Sequence, residues 1–185
     1  MKLDVRTVLR FTLMFIPLFV GFLLLYPVVM KAYHPAALGV ANVIMEQMDP
    51  PTRMQMNEWN GWRALVIEDG YPVKFTDWFM WQRHLHFLSL ALVPALILAT
   101  PAPWPSRFRM LAVAIPVLFV VHSVTIVGIV RTQYCVMLDP FNFSCRWLRR
   151  VVNTSGQLFG AGLWVLLTWR YWVGKKPGPK SETPA

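Results

Sequence analysis

FTLMFIPLFVGFLLLYPVVM, residues 11–30, is the stretch on which the fold turns. It carries no charge, it follows Lys2, Arg6 and Arg10, and Lys31 closes it. A helix needs about 20 apolar residues to cross the hydrocarbon of a bilayer, and this run supplies them. A secretory signal has a shorter apolar core, of about 7–15 residues, followed by a small-x-small cleavage site. No such site precedes Lys31, so the segment is expected to stay as an uncleaved anchor.

Outward from it, three further apolar runs are separated by charged or proline-bearing stretches. The second, 84–100, is introduced by Trp78, Phe79 and Trp81 and closed by Pro101, Pro103 and Trp104, the aromatic flanking that favours a water–lipid boundary. A basic turn with Arg107 and Arg109 leads to the third, 110–130, which ends at Arg131. The fourth, 153–173, ends in Trp169, Tyr171 and Trp172. Composition agrees: 56% of the 185 residues are hydrophobic and 14% aromatic, the mean hydropathy is +0.44, and an ordinary soluble domain is less apolar.

The reading is therefore a mainly α, polytopic membrane protein with four transmembrane helices. Its expected order is a cytoplasmic start (1–10), helix 1 (11–30), an extracytoplasmic subdomain (31–83), helix 2 (84–100), a cytoplasmic turn (101–109), helix 3 (110–130), an extracytoplasmic loop (131–152), helix 4 (153–173) and a disordered cytoplasmic tail (174–185). Basic residues at the amino terminus, the Arg107–Arg109 turn and the Arg170, Lys175, Lys176 and Lys180 tail put both termini in the cytoplasm. The net charge of +9 is spread over the ends of apolar runs rather than gathered on a polar face, which points to anionic lipid and not to nucleic acid. Residues 31–83 hold most of the acidic side chains. There Pro50-Pro51 breaks the chain, and Ala64 to Phe75 reads as a β-hairpin turning at Asp69-Gly70, giving a small α+β unit too short to bury much core alone.

Four groups of side chains bear chemistry. His84 and His86 stand at the start of the second run, and His122 lies about eight residues inside the third, or about 12 Å below its end. His86 and His122 facing each other suit a haem iron or a metal; alternatively His122 is neutral and bonds a neighbouring helix, the commoner outcome. Cys135 and Cys145 suit a disulfide in an oxidising compartment, or one of them a nucleophile. Arg146, Arg149 and Arg150, with Arg131 nearby, would align guanidiniums on one helical side for an anionic lipid, or simply anchor the chain at the interface. Gly156 and Gly160 form a GxxxG pair that lets another backbone approach. Pro17, Pro94 and Pro116 read as kinks within spans. Asn142-Phe143-Ser144 and Asn153-Thr154-Ser155 match the glycosylation sequon, which matters only in a eukaryotic secretory lumen.

The basic start before Phe11 to Met30, the hairpin Ala64 to Phe75, the Leu88 to Pro101 helix running into a basic turn, and the closing Gly156-Gln157-Leu158-Phe159-Gly160 to Trp172 helix together resemble the small multipass exosortase-associated membrane proteins of bacteria. The resemblance implies association with a membrane transpeptidase system that handles carboxy-terminal sorting signals of envelope proteins. Exosortases themselves use a cysteine, then an arginine, then a histidine in chain order; no histidine follows Cys135 or Cys145, so no catalytic residue carries over. The expectation is a bacterial inner-membrane accessory subunit with lipids and a membrane-protein partner, no resident cofactor, and no enzymatic activity required to explain it. Two other readings stay open: a haem or metal redox subunit using His86 and His122, and an anionic-lipid-handling enzyme or transporter using Arg131, Arg146, Arg149 and Arg150.

Overall fold

A computed structural model describes residues 5–48, 51–56, 62–68, 71–74, 88–139 and 141–173. Among these the chain is mainly helical. The elements run α1 (Val5–Met45), β1 (Thr52–Met56), β2 (Trp62–Glu68), β3 (Tyr71–Lys74), α2 (Ser89–Ala99), α3 (Trp104–Leu138) and α4 (Phe143–Trp172).

The helices outrun the apolar runs that announce them, because helical hydrogen bonding does not stop where hydrophobicity does. α1 continues past Lys31 to Met45 and contains Pro17, Pro27 and Pro35. Its last stretch buries Met30, His34, Ala37, Leu38, Ala41 and Met45, which follow the three-to-four-residue spacing of one inward stripe, with Ala37 and Leu38 side by side on it. That stripe packs on Ile126, Val127, Ile129 and Val130 of α3. A second core lies toward the other end, where Val93 and Ile97 of α2 meet Met110, Ala114 and Leu118 of α3 and Leu163 of α4.

The connections fix the order of the bundle. Between α2 and α3, Thr100 turns its Oγ1 back to the Leu96 carbonyl at 2.8 Å, and Pro103 precedes a helix that has a proline in its first turn, where the missing N–H costs nothing. Trp164 donates its Nε1–H to Thr100 Oγ1 at 3.1 Å, tying α4 to this turn. Between α3 and α4, Asn142 is the N-cap and its side-chain oxygen accepts from the Cys145 N–H at 3.2 Å. The ring of Phe11 stands 5.0 Å from that of Trp172, so the start of α1 and the end of α4 meet at the same end of the bundle.

Two expectations are corrected. Among the described residues two helices, Val5–Met45 and Trp104–Val136, are long and apolar enough to cross a membrane, not four. The described part of α2 has 11 residues, about 16 Å of helix where a span needs about 30 Å. α4 has 30 residues, but Arg146, Arg149 and Arg150 occupy its start, and Asn153, Ser155, Gln157 and Arg170 make the rest less apolar than a span requires. The α+β subdomain expected over 31–83 with a β-hairpin is also revised: its first part belongs to α1, and the strands form a three-stranded antiparallel sheet in the order β1-β2-β3. Thr52 pairs with Val66 and Glu68 with Tyr71. Asp69, Gly70 and Phe75, on which the hairpin reading leaned, lie outside the described residues, as do His84, His86 and the 174–185 tail.

Candidate functional site

The most enclosed polar cluster is centred on His122 of α3, which is 2% exposed. Its Nδ1 lies 2.7 Å from the Tyr33 hydroxyl of α1, and its Nε2 lies 2.8 Å from the Ser89 hydroxyl at the start of α2. A neutral imidazole donates through one nitrogen and accepts through the other, and each hydroxyl can take either part. The cluster thus satisfies itself while buried, as a polar group in an apolar interior must. Aromatic contact reinforces it: the Tyr33 ring meets those of Phe119 and His122 edge-on, with centroids 5.5 and 5.8 Å apart.

The fourth helix closes the cluster from outside. A Cβ placed on Gly160 of α4 would lie 2.7 Å from the Ser89 Cβ, far inside normal contact, so only glycine lets α4 rest on α2 here. Side chains from α1, α2 and α3, and the bare backbone of α4, meet at one level. Ser89 touching His122 has the outline of a nucleophile beside its base. The ring's other nitrogen, however, faces a phenol, and a phenol does not stabilise an imidazolium as a buried carboxylate does. The arrangement is suited to holding three helices together.

The residues singled out from sequence fall into separate places. His122 has both ring nitrogens engaged by hydroxyls, so either one would have to give up a hydrogen bond to take a metal. No group of three or more metal-binding side chains occurs among the described residues. Cys135, near the end of α3, and Cys145, in the first turns of α4, form a disulfide with a Cα separation of 5.9 Å. Arg146, Arg149 and Arg150 follow on α4, the first and last exposed and Arg149 half-buried, and Arg131 is half-buried on α3. Asn142 of the first sequon is occupied in capping α4. Gly160 of the GxxxG pair serves an internal contact with α2.

Sequence reasoning passed over Tyr33 and Ser89. Tyr33 was hidden because the polar segment appeared to begin at Lys31; the apolar spacing that persists to Met45 was the signal that the helix continues. It also passed over a cleft of about 230 Å³ at the opposite end of the bundle, lined by Thr7, Arg10, Phe11 and Met14 of α1, Ala99 and Pro101 after α2, and Arg107 of α3. Comparison of the chain with family models, with curated proteins and with solved structures gives no match.

Proposed function

We propose that the chain is an integral protein of the bacterial inner membrane and serves as an accessory subunit of an envelope protein sorting or export system, with both termini cytoplasmic. The membrane part of this reading is carried by one observation, the outer face of α1. Val5, Leu9, Leu13, Ile16, Val20, Leu24 and Val28 follow one another three or four positions apart and are 49–78% exposed. Only 6% of the most apolar window of α1 is buried, against 44% for α3. Water would not tolerate so long an uncovered apolar stripe, whereas acyl chains would.

The accessory role is supported by the resemblance to exosortase-associated proteins and by how the reactive side chains are employed. Ser89, His122 and Tyr33 hold helices together, and the two cysteines hold each other. Crosslinking in native bacterial membranes followed by affinity purification tests the role: the expected result is reproducible recovery of one membrane-protein partner. A chain that repeatedly isolates alone would sink the accessory role, and release into the soluble fraction by alkaline carbonate would sink the membrane assignment.

A further inference from the structure

We infer that the cleft between α1, α2 and α3 is a binding site for the phosphate of an anionic phospholipid headgroup, held by Arg10 and Arg107. Arg107 is an unusual arginine, only 9% exposed. Its Nε–H donates to the Ala102 carbonyl at 2.8 Å and its Nη1 to the Leu98 carbonyl at 2.5 Å, and its guanidinium carbon sits 4.6 Å from the centre of the Trp104 ring. These contacts use a carbonyl left open in the last turn of α2 and one in the turn that follows it, and they fix the plane of the fork. Among the described residues no other group accepts from its remaining N–H donors. A buried, immobilised guanidinium of this kind suits the two-pronged recognition of a phosphate.

Charge and shape agree with that assignment. Arg10, exposed on α1, lines the same cleft as Arg107. The described acidic residues, Glu46, Glu68 and Asp139, all belong to the sheet end or the α3–α4 turn. The positive charge at the cleft therefore has no carboxylate of the described chain to neutralise it. The volume, about 230 Å³, is below the roughly 300–1,000 Å³ of ordinary small-molecule pockets, so it admits a headgroup and not a whole substrate. Phe11, Met14 and Ala99 add an apolar wall beside the arginines, and Arg10 immediately precedes the apolar run of α1, the level at which headgroup phosphates lie.

Native mass spectrometry of the full chain in detergent, titrated with phosphatidylglycerol, phosphatidylcholine, glycerol phosphate or inorganic phosphate, tests the site. The expected result is retention of phosphatidylglycerol over phosphatidylcholine, weakened about tenfold in Arg10→Gln, the loss of roughly one charge-assisted contact. Arg107→Lys, which keeps the charge but loses the fork, should also weaken retention, and circular dichroism confirms that it is folded. Binding of glycerol phosphate or inorganic phosphate with the same dependence on Arg10 supports the anion site and identifies phosphate itself as what is recognised. The triple variant Arg146→Gln, Arg149→Gln, Arg150→Gln should retain the lipid as wild type does. Equal retention by wild type and Arg10→Gln, or loss only in the triple variant, overturns the proposal. This outcome is independent of whether a partner subunit is found.

Discussion

At Gly160 a single hydrogen decides how close two helices come. Replacing it with alanine drives a methyl group against the Cβ of Ser89, only 2.7 Å away, and that atom is fixed to backbone, so α4 must move off α2 as a body. Gly162, two residues along the same helix, has nothing within 4 Å of its would-be Cβ. Alanine there gains helix propensity of up to about 1 kcal/mol. Gly160→Ala should instead cost about 1–3 kcal/mol through overpacking, despite the same propensity gain, and it should loosen the Ser89 contact to His122. Thermal unfolding of the two variants in the same detergent should move in opposite directions. His122 itself was legible in the sequence as an ionisable residue inside an apolar run. Its partners were not, because hydrogen bonds between residues 89 positions apart, as with Tyr33, leave no trace in local pattern.

Among the elements, the α3–α4 connection is the most constrained. Asn142 caps α4, Asp139 Oδ1 accepts from the Phe141 N–H at 3.1 Å, and the Cys135–Cys145 bridge closes a loop of 10 residues of separation. Closing a loop of that size stabilises a fold by roughly 2–3 kcal/mol through the unfolded chain. Reduction, or Cys135→Ser with Cys145→Ser, should lower the melting temperature and should first release the start of α4, measurable as faster amide exchange there. Exchange unchanged by reduction would show that the bridge contributes nothing to this corner. The two cysteines were legible as a pair because both fall in one short connector. The extent of the helices was less so: an apolar run marks where a helix is greasy, while Arg131, Cys135 and Arg146 are helical residues that polarity alone would assign to a loop. The same error, in reverse, gave four spans. Yet the described α2 is short, and within 153–173 Asn153, Thr154, Ser155, Gln157 and Arg170 leave the run less apolar than a span requires.

For the molecule as a whole, the decisive question is what covers α1. Leu24 is 75% exposed and Leu13 64%, so a lysine at either position disturbs no internal packing. In a lipid-facing helix, however, a lysine near the centre of the span penalises insertion by about 2.5–3.5 kcal/mol. Leu24→Lys should therefore cut the membrane-inserted fraction in a translocon insertion assay, and an exposed control such as Val43→Lys, on the packed half of the helix (Val43 is 60% exposed), should leave it unchanged. Equal insertion by both variants would count against lipid as the covering of α1.

α1 is also a rod of roughly 60 Å at 1.5 Å per residue, about twice the thickness of a bilayer's hydrocarbon. One of its ends presents Arg10 to the cleft, and the other presents Glu46, which reaches Arg53 of the sheet at 3.4 Å. No loop intervenes to absorb a displacement, apart from whatever bending Pro17, Pro27 and Pro35 permit. Whatever seizes the sheet at one end of α1 therefore has a lever arm reaching to the arginines at the other.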